Sequence, residues 1–173
     1  LSNLQSLGAL QLTYNYTATD ISALSNITSL GHLYLYESHI ESLTGLENLT
    51  ELNSLQIANT YSLTDLSPLS NVTTPNADIY FYNLMIDSLT GLEGLTSLSS
   101  LTLDNSDITS LSGLDNVTSI SQNLYLETNT LSDISALSSL TSVGGDVSIQ
   151  WNSSLCDEDV SQLETQISGS YQS

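Results

Sequence analysis

Apolar residues recur along this chain in steps of three, and once in every 22 or 23 residues the rhythm changes to a single alternation. The stretch from Leu92 to Gly113, LEGLTSLSSLTLDNSDITSLSG, shows it most plainly. Its apolar positions are Leu92, Leu95, Leu98, Leu101, Leu103, Ile108 and Leu111, and nearly everything between them is Ser, Thr, Asp, Asn, Glu or Gly. Leu101-x-Leu103 places both leucines on one face of a short strand, whereas three-residue steps suit tight helical or irregular turns. One such unit cannot bury its leucines alone. It needs neighbours stacked on both sides, and a period of this size predicts a solenoid.

Alignment on the leucines gives seven units, starting at Leu1, Leu24, Leu46, Leu69, Leu92, Leu114 and Leu137. The strand pairs are Leu10/Leu12, Leu33/Leu35, Leu55/Ile57, Ile79/Phe81, Leu101/Leu103, Leu124/Leu126 and Val147/Ile149. The expected fold is an α/β repeat solenoid of seven coils in one domain over residues 1–173, with one parallel β-sheet and a short helical or irregular convex side. After Ile149 the rhythm stops. DEDVSQLETQI then carries Val160, Leu163 and Ile167 at helical spacing, which predicts a capping helix over about 157–168, with Asp157 as its N-cap and Cys156 buried at the end of the array.

Two features vary from unit to unit. Three residues after each strand pair stand Asn15, Ser38, Thr60, Leu84, Ser106, Asn129 and Asn152, a column expected to form a polar ladder between coils that Leu84 interrupts. The fourth unit has Pro75 where others have an inward aliphatic residue, and one extra residue before Ile79, so a bulge is expected there. The sixth and seventh units carry a similar extra residue, with Gly144 and Gly145 expected to supply positive φ.

Charge narrows the partners. The chain has 19 acidic residues, no Lys, no Arg and two His, a formal charge of −19. With no Lys or Arg, it cannot release counterions from a nucleic acid or be drawn to an anionic membrane surface, and neither is an expected partner. Salt should help the fold by screening self-repulsion. One cysteine rules out an intrachain disulfide framework. No initiator Met, signal-type segment or N-terminal cap is visible, so the chain reads as a mature or excised segment.

The phrases TDISALSNITSLGHLYL, TDLSPLSNVT and SDISALSSLTSV resemble the leucine-rich repeat family, specifically its internalin type of about 22 residues per repeat. The ending VGGDVSIQWNSSLCDEDV resembles instead the receptor L-domain, with an Asn-containing turn and a Leu-Cys pair after the last strand. Such repeats serve adhesion, receptor recognition and scaffolding, so the resemblance implies an extracellular or cell-surface module and fixes no ligand.

On the sheet, residues between and just after the paired aliphatics point outward. In the resembling family this is the concave face. Tyr34, Tyr80 and Tyr125 fall in one column, and Tyr36, Tyr82, Asp104 and Glu127 in the next. With strands about 4.8 Å apart, Tyr34 and Tyr80 lie roughly 10 Å apart across Gln56. Tyrosine offers apolar area with a polar tip and little rotamer entropy to lose, which suits a protein or glycan ligand. It also suits strands by propensity alone, and both readings stand.

Asn26, Asn48, Asn71 and Asn116 head in-register Asn-x-Thr sequons on a turn away from the sheet, expected either to carry N-glycans or to pack against backbone. Asp104/Asp107 and Asp157/Glu158/Asp159 offer carboxylates, but no calcium-loop motif accompanies them, and no cofactor is expected beyond that weak calcium possibility. Asp20, Asp65 and Asp133 read as caps of convex turns. No catalytic spacing or phosphate loop occurs, so a non-enzymatic recognition module is the leading expectation. The alternative is a self-assembling surface coat or filament.

Overall fold

A computed structural model of the protein describes residues 3–168, which leaves the first unit's Leu1 outside the described residues. The strands are β1 (Ser6–Thr13), β2 (Ser29–Tyr36), β3 (Glu51–Ala58), β4 (Ala77–Tyr82) and β5 (Ser97–Asp104). They are followed by β6 (Ser119–Ile120), β7 (Leu124–Glu127), β8 (Ser142–Val143) and β9 (Val147–Gln150), then the helix α1 (Asp157–Ser168). Every pairing is parallel, and the strand pairs meet in register from Leu10 with Leu33 to Leu124 with Val147. The result is a leucine-rich repeat solenoid whose inward row is dry. Leu33, Leu35, Leu55, Ile57, Leu101 and Leu103 are at most 1% exposed, and each such side chain contributes about 1.5–3 kcal/mol of burial. At the ends, Leu10, Leu12, Val147 and Ile149 are only half-buried because each lacks a neighbour on one side.

The extra residues act as expected in kind but not in detail. Pro75 is exposed and does not fill the inward slot. Ala77, two residues further on, is the residue buried opposite Leu98, and the register slips between Ala77 and Asp78. Asn76, at φ 58°, turns the chain so that this shift is possible. In the sixth and seventh rungs the extra residues divide the sheet: β6 and β8 continue one branch from β5, β7 and β9 the other. The two bulges nest, with Asn123 Oδ1 accepting from the Asp146 N–H at 2.9 Å and the Gly145 N–H donating to the Gln122 carbonyl at 2.8 Å. Gly144 and Gly145 are not at positive φ. They are needed for close approach, since a Cβ on Gly144 would strike the Ser121 carbonyl.

Convex turns come in two designs. In one, Asp20, Asp65 and Asp133 each accept the backbone N–H two residues on, at 3.0, 2.8 and 2.8 Å, ahead of short 3₁₀ turns at Ser22–Leu24, Ser67–Leu69 and Ser135–Ser139. Hydrogen bonds from Ser22 and Ser135 hold the Asp20 and Asp133 carboxyls below the usual range. In the other, Gly45, Gly91 and Gly113 sit at φ of 106°, 110° and 108°, and each N–H donates to an acidic side chain two residues on.

The strand exits share one conformation. Tyr14, Glu37, Asn59, Asn83, Asn105, Thr128 and Trp151 all have φ between 46° and 56°, each two residues past its strand pair. The N–H of each of the first six donates to a carbonyl of the next coil at 2.9–3.1 Å. Asn suits this left-handed turn, while Tyr, Glu, Thr and Trp are held there against preference.

One residue further on lies the polar column. Asn129 Nδ2 donates to the Leu103 and Glu127 carbonyls at 2.8 and 2.9 Å, and its Oδ1 accepts from the Ser106 N–H at 3.1 Å. Asn152 repeats the arrangement one coil on. Leu84 does interrupt the side-chain ladder, its own N–H being taken by Ser106 Oγ at 3.0 Å. Asn15 departs from it: its Oδ1 accepts locally from the Thr17 and Ala18 N–H groups instead of bridging coils.

Helix α1 buries Leu163 and Ile167, and Gln166 Nε2 donates to the Leu137 and Leu140 carbonyls. Two expectations fail at its start. Asp157 is the first helical residue and not the cap, and Cys156 is exposed, its carbonyl accepting the Asp159 N–H. The three acids Asp157, Glu158 and Asp159 then occupy the first turn, where the helix dipole favours negative charge.

Candidate recognition surface

Strand register settles which outward residues stand side by side. One row runs Gln11, Tyr34, Gln56, Tyr80, Thr102, Tyr125 and Ser148, and the next runs Thr13, Tyr36, Ala58, Tyr82, Asp104, Glu127 and Gln150. The candidate residues therefore share one face, but not one site. Tyr34, Tyr36 and Tyr80 line a shallow depression of about 220 Å³ with Gln56 and Ala58 between them. It exists because alanine follows tyrosine in its row, and Ala58 is nearly covered while Tyr36 and Tyr80 are each 38% exposed. Tyr82, Asp104, Tyr125 and Glu127 lie beyond it, toward the acidic end of the face.

Several of these side chains are braced. His32 stacks on Tyr34 with ring centroids 5.6 Å apart and planes within 10°. Tyr36 meets Tyr14 edge-on at 5.4 Å. Gln56 Nε2 donates to Ser54 Oγ and Asp78 Oδ2, both at 3.3 Å, and the Tyr125 hydroxyl donates to Asp146 Oδ2 at 3.5 Å. Ser148 Oγ donates to Glu127 Oε1. Tyr34, Tyr36 and Tyr125 are thus held by neighbouring side chains.

The face carries acidic groups with no Lys or Arg beside them. Burial, and after it the neighbouring Glu127 carboxylate, pushes the Asp104 carboxyl above its usual range. A carboxyl raised in the fold is at its most favourable in acid, and that contribution is lost as pH climbs through its folded pKa. The Tyr80 phenol is raised chiefly by burial and then by Asp104. Tyr36 is raised by Tyr14 and then by Glu37. Among the described residues no three His, Cys, Asp or Glu side chains gather as metal ligands, and no helix is long and apolar enough to cross a membrane.

On the convex side, Asn48, Asn71 and Asn116 are exposed, yet each Nδ2 donates to a carbonyl of the preceding coil, at 2.9, 2.7 and 2.8 Å. The Thr50 and Thr118 hydroxyls of the same sequons also donate to preceding-coil carbonyls. Asn26 likewise has a partner. The packing role expected of this column is present in the geometry.

The sequence reading passed over the rim where the strands end. Tyr16, His39, Tyr61 and Met85 form a row there, and Tyr14 and Trp151 are also well exposed. The signal was available as an aromatic or large side chain recurring every 22 to 24 residues, four positions past the strand pair.

No curated protein matches the chain. A family model, BspA type leucine rich repeat region (6 copies), matches residues 2–98 and again residues 58–155. Modules of this family are in general surface-associated and of a protein-binding or adhesion type, and such solenoids are typically non-enzymatic scaffolds. That match spans most of the sequence, and the chain belongs to the BspA-type leucine-rich repeat family.

Proposed function

We propose that the chain is a non-enzymatic extracellular recognition module that binds a protein or glycan on its concave tyrosine-rich, acidic face. The observation carrying this reading is the depression among Tyr34, Tyr36 and Tyr80, set in a row that continues to Tyr125, with Tyr34 stacked on His32 and Tyr125 bonded to Asp146. Tyrosines so placed supply most of the energy in many interfaces, while truncating a half-exposed ring costs the fold little. The sequence resemblance to internalin repeats and, in the last coil, to the receptor L-domain fits the same use. Tyr34→Ala, Tyr80→Ala and Tyr125→Ala together should weaken capture of ligands selected from a glycan array or a displayed peptide library by more than tenfold, with the thermal midpoint nearly unchanged. Unchanged capture by the triple variant would remove the concave face from the reading.

A further inference from the structure

A second cleft, of about 400 Å³, lies on the rim beyond the strand ends. Tyr16 and Tyr61 form its walls, 54% and 52% exposed, and Glu37, His39 and Asn59 lie between them. Both phenols are tethered at their oxygens. The Tyr16 hydroxyl donates to Glu37 Oε2 at 3.2 Å, and Tyr61 accepts from Asn83 Nδ2 at 2.6 Å while donating to Asn59 Oδ1 at 3.5 Å. The Tyr16 ring also meets His39 edge-on, centroids 5.2 Å apart. Rings so tied present fixed walls.

Glu37 stands in the left-handed strand-exit column at φ 46°, a conformation that asparagine adopts more readily in three other coils. The turn itself has no need of a carboxylate, since Tyr14 and Thr128 make the same turn without one. What the carboxylate does is put a negative charge inside an aromatic cleft.

We propose that this cleft receives a cationic side chain, Arg or Lys, from a protein partner. Tyrosine faces attract cations through the negative face of the ring, and guanidinium groups also stack on aromatic planes. Glu37 adds a charged acceptor, and hydrogen bonds to a charged group are the stronger kind. These 173 residues hold no Lys or Arg, so none of them can enter the cleft as that cation. A formal charge of −19 draws a basic partner from a distance and speeds its arrival. A neutral sugar could stack on the same rings but would gain nothing from Glu37 or from that field. The cation is therefore the occupant that uses every feature of the cleft. This site is separate from the concave depression, and its reading does not rest on that one.

The test is an amide-shift titration of the whole chain with a tetra-arginine peptide, run beside a neutral tetraserine peptide and chitotetraose. Arginine-dependent shifts should concentrate at residues 16, 37, 39, 59 and 61, and weaken as salt rises. The double substitution Tyr16→Ala with Tyr61→Ala leaves net charge unchanged, so a rise in Kd of about tenfold separates the cleft from diffuse attraction to an acidic surface. Glu37→Gln should also weaken binding. The proposal is overturned if arginine shifts spread evenly over the acidic surface, if the double variant binds as wild type, or if chitotetraose alone moves the cleft residues. The shift map is read on the unmodified chain and holds whether or not the variants fold.

Discussion

Gly91→Ala should destabilise the fold by about 2–5 kcal/mol, read as a lower urea midpoint at unchanged slope. Two effects combine there. At φ 110° an alanine is forced out of its allowed conformations, and its Cβ would sit against the Leu66 carbonyl group of the preceding coil, which is backbone and cannot turn aside. Gly8→Ala is the control. Nothing lies within 4 Å of a Cβ there and the residue is on β1, so its midpoint should move by no more than about 0.5 kcal/mol. Equal effects at the two glycines would show that contact between convex turns is not what holds the coils at their spacing.

The second large effect is expected at Asn129→Leu. Leu84 proves that an aliphatic side chain fits this column, so the substitution tests hydrogen bonding more than volume. Leu84 supplies no such side-chain bonds, while its own N–H is accepted by Ser106 Oγ of the next coil. Losing the Asn129 amide strips the buried Ser106 N–H of its acceptor and removes donors to the Leu103 and Glu127 carbonyls. The cost should be about 2–4 kcal/mol by chemical denaturation. A loss under about 1 kcal/mol would mean that water or a shifted backbone satisfies these groups.

These two positions also mark what the sequence could and could not disclose. The strand pairs were legible because an inward aliphatic residue is required on both sides of each rung, and the polar column followed at a fixed offset from them. The place of the fourth-unit bulge was not, because an extra residue can be absorbed at any of several bonds. Only the paired backbone decides that Ala77, and not Pro75, turns inward. The left-handed strand exits were hidden for a different reason: Tyr14, Glu37, Thr128 and Trp151 are residue types that ordinarily avoid φ near 50°. Their conformation is imposed by the ladder between coils and cannot be read from local preference. The outward rows of the sheet were predictable from alternation, but the depression within them depends on Ala58 being small where its row neighbours are aromatic. The rim cleft was not legible because its residues stand around strand exits whose left-handed backbone no local preference announces.

The two convex designs, aspartate-led and glycine-led, enter and leave the same sheet at the same register. A glycine-led turn therefore stands beside either kind, in the order Asp20, Gly45, Asp65, Gly91, Gly113 and Asp133. Copying or deleting a stretch of 22 or 23 codons would add or remove one rung without requiring a new turn to be invented. The reach of such a molecule from end to end is thus a heritable variable separate from the chemistry of its faces, and a lineage can alter how far it extends while keeping what it grips.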